Sequence, residues 1–172
     1  EACARLGVDR DAWWRARERH ASRRTNARVR SGDRPTYPDV DALSSLSTDR
    51  PSALVTNNRT ATAEFVATYC LPGLFDAVVG RKPMIESYRR RKPEPDLLER
   101  GLTALESDSK SDSRSKSGYY VGDRETDVIA ARRVGLETIV VDRQHVDLDE
   151  FEVEPDHVVD SLRRIQNVID GD

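Results

Sequence analysis

The stretch YYVGDRETD, residues 119–127, decides the fold that the rest of the chain must take. Its first three residues are apolar and β-prone, and Gly122 then breaks the run, so the pattern predicts a buried strand that ends in a sharp turn. Asp123 follows the glycine directly, and Asp127 lies four residues later, at the start of the helical pattern DVIAARRV. This spacing can bring both carboxylates to one volume above the carboxyl edge of a sheet, where open α/β sheets bind their ligands.

The two aspartates suit a hard divalent cation such as Mg2+. This ion keeps several of its waters and takes few protein carboxylates. A role at the N-terminus of the helix is the plain alternative, because aspartate is favoured at N-caps and in first turns. The spacing alone leaves both interpretations open.

Strands and helices alternate on both sides of this stretch. Short apolar runs predict four further strands, at residues 52–55, 75–79, 138–141 and 157–159. Helical patterns are predicted at residues 12–30, 39–46, 60–70, 94–105, 127–134 and 161–169. Such alternation gives βαβ units with right-handed crossovers, so we predict an α/β fold with a Rossmann-like, doubly wound parallel sheet.

Two regions differ from this pattern. Residues 1–34 form a helical, Arg-rich segment that the turn-rich connector SGDRPTYP, residues 31–38, separates from an α/β core at residues 35–172. The arginines indicate a solvated helix face rather than a nucleic-acid interface. Within the core, residues 106–117 (ESDSKSDSRSKS) are too polar to pack, and we predict a disordered insertion there.

Composition limits the classes of protein. At 172 residues, 37% of them hydrophobic and 34% charged, the chain can form one α/β domain with a buried core. No apolar run approaches the roughly 18 residues of a membrane span, so we expect a cytoplasmic protein with no membrane partner. The net charge of −3 offers no global basic field to attract nucleic acid. Cys3 and Cys70 show neither metal-ligand spacing nor a disulfide pattern.

Chemistry-bearing residues recur where predicted strands end or helices begin. Thr56 ends the strand in LVTNN, Lys92 precedes a helix in RRRKPEPD, and Asp123 and Asp127 follow the strand in YYVGD. A hydroxyl, an ammonium and two metal-holding carboxylates together suit a phosphoryl group. Taken singly, each has a structural explanation as a cap or an exposed charge. Their occurrence together in this order favours the functional interpretation.

Three segments resemble motifs of a known family. LVTNN (54–58), KPEPDLL (92–98) and VGDRETDVIAARRVGLETIVV (121–141) look like the second, third and fourth motifs of the haloacid dehalogenase-like (HAD) hydrolase superfamily. The match covers roughly residues 37–141, and the fourth motif is its most specific part. The resemblance implies a Mg2+-dependent phosphohydrolase on a Rossmann-like core, acting on a small phosphorylated metabolite through an aspartyl-phosphate.

The resemblance also implies residue roles. Thr56 would bind the transferring phosphoryl group, helped by the backbone near Asn57. Lys92 would stabilise the nucleophile and the developing charge. Asp123 would ligate Mg2+, and Asp127 would ligate it or hold a metal-bound water.

The choice of lysine depends on the helix that follows it. Lys82, which also precedes a proline, is a rival for the third motif. Lys92 is preferred because a periodic helix begins beside it, at Pro95.

The first motif of the family, a DxDxT-like segment with the nucleophile, has no match. Asp9 and Asp11 have its spacing, but no apolar strand precedes them, and Trp13 stands where the threonine belongs. In the family a helical cap lies between the first and second motifs, so residues 1–34 resemble the remnant of a cap. We therefore expect an N-terminally truncated chain that lacks the central strand of its sheet and is inactive alone, although the full-length protein would be an enzyme.

Four alternatives remain. The chain could be an inactive HAD-like binding protein, or a haloacid dehalogenase, although dehalogenases of this family need no metal and the aspartate pair favours a phosphate ester. A phosphoacceptor receiver domain has the opposite chain order, since Thr56 and Lys92 here precede Asp123. A nucleic-acid-binding protein would use the Arg-rich N-terminal helix. The substrate and the oligomeric state are not indicated.

Overall fold

The computed structural model describes residues 2–46, 50–108 and 118–171. Two helices come first, α1 (Ala2–Arg5) and the long α2 (Arg10–Arg30). Asp9 caps α2, because its Oδ1 accepts the Ala12 N–H at 2.7 Å. A 3-10 helix, Val40–Ser45, then leads towards the first strand.

Five strands form two parallel sheets in the part of the chain that the structure describes. In the first sheet β1 (Ala53–Arg59) pairs with β2 (Ala77–Arg81). In the second the order is β3-β4-β5, formed by Tyr119–Gly122, Glu137–Val141 and His157–Val159. Among the described residues the two sheets share no backbone ladder. The predicted parallel α/β architecture is confirmed, in a sheet divided between β1 and β3.

The remaining helices follow the strands. They are α3 (Thr60–Tyr69), α4 (Ile85–Arg89), α5 (Asp96–Asp108), α6 (Glu125–Arg133) and α7 (Ile165–Asp170), with short 3-10 helices at Leu148–Glu150 and Leu162–Arg164. Of these, α3 and α6 are the crossovers between the parallel pairs β1-β2 and β3-β4. Helices α3 and α5 pack on β1 and β2, whereas α6 packs on β3 and β4. Each sheet therefore has its own helical cover.

One part of the core connects the two halves. Leu98 of α5 packs with Ala130 and Ala131 of α6, and all three are almost fully buried. Val55 of β1 and Tyr120 of β3 pack against this cluster. Apolar burial of this kind stabilises by about 25 cal/mol per Å². Side chains rather than backbone hydrogen bonds thus hold β1 and β3 in place.

Helix α2 is attached to the first sheet through a buried carboxylate. It packs against α3, and its Glu18, 1% exposed, lies 2.7 Å from Arg81 Nη2 and 3.2 Å from Arg59 Nε. Arg17 also pairs with Glu18 at 2.5 Å. A buried carboxylate needs such partners, because an unpaired charge away from water is costly.

The segment between α2 and β1 is attached to the second sheet. Asp39 accepts two hydrogen bonds from Arg143, at 2.9 and 3.0 Å, and one each from the Ser161 hydroxyl and the Leu162 N–H. Burial by itself would raise the pKa of Asp39, but these donors outweigh it and hold the pKa well below its ordinary value. Asp39 is therefore ionised in the folded protein.

Several element boundaries differ from the sequence prediction. Strand β1 continues through the polar run to Arg59, so Thr56 lies within it, because pairing with β2 resumes at Arg59 and Arg81. Helix α4 was not predicted. Helix α5 extends to Asp108, so residues 106–108 of the predicted insertion are helical, and residues 109–117 lie outside the described residues. Tertiary pairing, not local polarity, sets these ends.

The fold also bears on the membrane question. In the parts of the chain that the structure describes, no helix combines the length and apolarity that crossing a membrane requires.

Candidate active site

The turn after β3 brings the two predicted aspartates together. Asp127 Oδ2 accepts the backbone N–H groups of Asp123 and Arg124, each at 3.2 Å, and its side chain is buried. A Cβ built on Gly122 would lie 2.6 Å from both Cβ and Oδ2 of Asp127. The glycine is therefore required for this close approach. Asp127 also has the alternative role that the spacing left open, because its side chain accepts N–H groups at the N-terminus of α6.

Lys92 reaches the same carboxylate from the segment before α5. Its Nζ lies 2.6 Å from Asp127 Oδ1, and the lysine is only 8% exposed. Lys82, the rival, is exposed just after β2, and its backbone N–H donates to Ser87 Oγ. Of the two lysines, the structure brings Lys92 to the aspartates.

Asn57 fixes the backbone that carries Lys92. Its Oδ1 accepts the Lys92 N–H at 2.8 Å, and its Nδ2 donates to the Lys92 carbonyl at 3.2 Å. The neighbouring Thr56 Oγ1 accepts the Asn58 N–H at 3.1 Å. The Asn57 side chain thus clamps the backbone of Lys92. The Thr56 hydroxyl lies within the same strand, β1, and among the described residues no hydrogen bond joins it to Lys92 or Asp123.

Tyr120 belongs to this site, although the sequence predicted only a strand residue there. Its hydroxyl lies 2.5 Å from Lys92 Nζ and donates to the Val55 carbonyl of β1 at 3.0 Å. A buried tyrosine hydroxyl usually finds a partner, and strand alternation places Tyr120 on the opposite face from Tyr119. These two rules could have indicated from the sequence that the Tyr120 hydroxyl is buried and hydrogen-bonded, but neither identifies Lys92 as its partner.

The charges of the site stabilise one another. Burial alone would lower the pKa of Lys92, but the Tyr120 oxygen and the Asp127 carboxylate outweigh it and raise that pKa. Burial raises the pKa of Tyr120, against the opposing effect of Lys92. At neutral pH the site therefore holds the Lys92 ammonium beside a neutral Tyr120 phenol.

Asp123 is the accessible carboxylate of the pair. Its side chain is 43% exposed, and its Oδ2 lies 2.9 Å from His145 Nε2. His145 Nδ1 lies 3.5 Å from the Tyr37 hydroxyl. The sequence did not single out His145, because the loop after β4 carries no local signal that it returns to β3.

The donor set can be compared with what Mg2+ requires. Among residues 2–46, 50–108 and 118–171, no group of three or more His, Cys, Asp or Glu side chains is placed to hold a metal ion. Mg2+ needs only one or two carboxylates, with waters in its other positions. Asp123 offers an exposed carboxylate, and Asp127 lies in the same turn with its oxygens engaged by N–H groups and Lys92. The residues fit a largely hydrated Mg2+ held chiefly by Asp123.

Comparison with known proteins identifies relatives of the matched region. A family model described as HAD-hydrolase-like matches residues 89–165. The D-glycero-D-manno-heptose-1,7-bisphosphate 7-phosphatase of Chlorobaculum tepidum is 35% identical over 75 residues, which is 42% of this chain and 37% of that protein.

Solved structures share the fold. CbbY from Rhodobacter sphaeroides, in complex with phosphate, superposes with a TM-score of 0.66 at 20% identity, over 86% of this chain and 63% of that one. A HAD phosphatase from Thermococcus onnurineus gives a TM-score of 0.61 at 21% identity, over 80% and 59%. The chain thus spans less than two thirds of each of these relatives.

The roles of Thr56, Asn57, Lys92, Asp123 and Asp127 stay predictions.

Proposed function

We propose that this chain, which belongs to the haloacid dehalogenase-like hydrolase superfamily by its motifs and fold, forms the phosphoryl-binding and metal-binding part of a Mg2+-dependent phosphate monoesterase. One observation carries the proposal. The buried Lys92, clamped by Asn57, contacts Asp127 beside the accessible Asp123, at the carboxyl edge between β1 and β3. A buried ammonium beside an accessible carboxylate suits a ligand that is an anion with a divalent cation.

Each residue has a part in this proposal. Thr56 and the backbone at Asn57 donate hydrogen bonds to the phosphoryl oxygens, and Lys92 neutralises their charge. Asp123 holds Mg2+, while Asp127 orients Lys92 and a metal-bound water. The bound ion would supply charge neutralisation at the phosphoryl oxygens.

The nucleophile in this proposal is an aspartate on a further strand between β1 and β3. Among the described residues, β1 and β3 share no backbone ladder, and the Tyr120 hydroxyl of β3 donates a hydrogen bond to the Val55 carbonyl of β1 at 3.0 Å. The aspartate oxygen attacks phosphorus, the bond from phosphorus to the ester oxygen breaks, and that oxygen takes a proton from water and leaves as the alcohol. Water then cleaves the acyl phosphate, releasing inorganic phosphate and restoring the carboxylate.

The test uses Mg2+-dependent hydrolysis of p-nitrophenyl phosphate by the natural protein. Asp123→Asn should lower the rate by about hundredfold or more, because it removes the charge that holds the cation. Asp160→Asn is the matched control, since Asp160 is exposed and far along the chain from the site. Wild-type activity in Asp123→Asn, or undiminished activity without Mg2+, would reject the site.

An inactive HAD-like binding protein is the second candidate. The contacts of Lys92 favour this candidate. Its ammonium already contacts Asp127 and Tyr120, and no other carboxylate forms an ion pair with it among the described residues. Such a protein would bind inorganic phosphate with Mg2+ in a calorimetric titration, yet hydrolyse no aryl phosphate.

A further inference from the structure

A cavity lies between α2 and the segment that follows β2. Its volume is about 270 Å³. One wall comes from the first two turns of α2 and the other from residues 83–89. None of its lining residues belongs to the candidate active site, so the cavity is separate from that site.

The cavity has an excess of positive charge. Arg10, Arg15 and Arg89 line it, together with the carboxylates of Asp11 and Glu86. Both carboxylates have other partners, since Asp11 pairs with Arg10 at 3.7 Å and Glu86 with Arg90, outside the cavity, at 3.0 Å. In the described chain no carboxylate lies within ion-pair distance of Arg15 or Arg89. Two guanidinium groups are therefore available to an anion.

The remainder of the lining is aromatic and apolar. Trp14 stands on the α2 wall, and Pro83, Met84 and Ile85 form the opposite wall. The Trp14 indole N–H is buried and has no acceptor among the described residues, which is unusual for a buried donor. Met84 is 48% exposed. Apolar surface with a few convergent donors is typical of small-molecule sites.

The two walls are held in position before any ligand binds. Trp14 of α2 makes an edge contact with Tyr88 of α4, with ring centroids 5.4 Å apart. Arg81 lies over the same tyrosine ring at 4.9 Å and pairs with the buried Glu18 of α2. A preformed site loses less entropy on binding.

We propose that this cavity binds a small organic acid, a carboxylate or phosphonate with an aromatic or aliphatic body. The acid group bonds to the guanidinium groups of Arg15 and Arg89, and the body packs on Trp14 and Met84. The inference does not depend on the proposed phosphatase activity.

Phenylphosphonate is the probe, because it joins an acid group to an aromatic ring. Trp13 and Trp14 are the only tryptophans of the sequence, so intrinsic fluorescence reports on this wall. We expect a saturable fluorescence change with phenylphosphonate and none with the neutral benzyl alcohol. Arg15→Gln and Arg89→Gln should each weaken binding about tenfold, since each loses a charge-assisted hydrogen bond. Arg19→Gln, an exposed residue of the same helix outside the cavity, should bind as the wild type does.

The outcomes separate this site from the active site. Asp123→Asn should leave phenylphosphonate binding unchanged, even if it abolishes phosphatase activity. The proposal is overturned if the wild type gives no saturable change, if Arg15→Gln and Arg89→Gln both bind like Arg19→Gln, or if benzyl alcohol binds equally well.

Discussion

At the scale of single residues, the site depends on a glycine, which has no side chain, and on a buried carboxylate. Gly122 allows the Asp127 carboxylate to approach β3, and that carboxylate in turn orients Lys92. These contacts are short and directional, so small changes of volume or charge should have large effects.

Gly122→Ala should lower the free energy of unfolding by about 2–3 kcal/mol, because its Cβ would overlap Asp127. Urea denaturation measures this loss. Gly118→Ala is the matched control just before β3, where the atom nearest to the added Cβ is Cδ2 of the Leu136 side chain at 3.2 Å. Equal stability losses in the two variants would contradict the assigned role of Gly122.

Lys92→Ala should lower the rate of phosphate ester hydrolysis by the natural protein about hundredfold or more, whereas Lys82→Ala should retain activity. The reason is that Lys92 is buried on Asp127 while Lys82 is exposed after β2. Rates with p-nitrophenyl phosphate measure both. The reverse result would transfer the third-motif role to Lys82.

At the scale of elements, α2 is an integral part of the fold rather than a loose appendage. The sequence indicated a solvated, Arg-rich helix, and most of its side chains are indeed exposed. Glu18 and Ser22 are the exceptions, buried at positions four residues apart. A charge buried on a charged helix cannot be recognised locally, because its partners Arg59 and Arg81 come from β1 and β2.

Glu18→Ala should lower the free energy of unfolding by about 3–5 kcal/mol, because it leaves the buried guanidinium of Arg81 and the partly buried guanidinium of Arg59 without their carboxylate. Thermal and urea denaturation measure the loss. Glu64→Ala, an exposed glutamate of α3, should change stability by about 0.5 kcal/mol or less. If both variants unfold alike, α2 is not held by this carboxylate.

At the scale of the whole molecule, long-range polar contacts hold the segment before β1 against the segments after β4 and β5. Asp39 is the centre of these contacts, more than a hundred positions from Arg143 and Ser161 along the chain. Its lowered pKa means that its stabilising effect requires the ionised carboxylate.

Asp39→Asn should cost about 2 kcal/mol of unfolding free energy at pH 7, where the wild-type carboxylate is ionised. The folded-state pKa lies below the unfolded value of about 3.9, so this contribution is fully present above about pH 4 and is lost as the pH falls further. Urea denaturation from pH 7 down to pH 3 should show that the stability difference between the two proteins begins to narrow below about pH 4. The exposed Asp149→Asn provides the control, and a pH-independent difference would contradict the ionic origin.

The sequence by itself determined the alternation of strands and helices, the turn at Gly122, and Lys92, Asp123 and Asp127 as candidates. These are local signals, since apolar periodicity and glycine act over a few residues. Only the tertiary structure decided that Lys92 rather than Lys82 reaches Asp127, that Tyr120 and His145 join the site, and that Glu18 is buried. The physical reason is that hydrogen bonds and ion pairs between distant segments depend on how helices pack on the sheets, which no short stretch of sequence encodes.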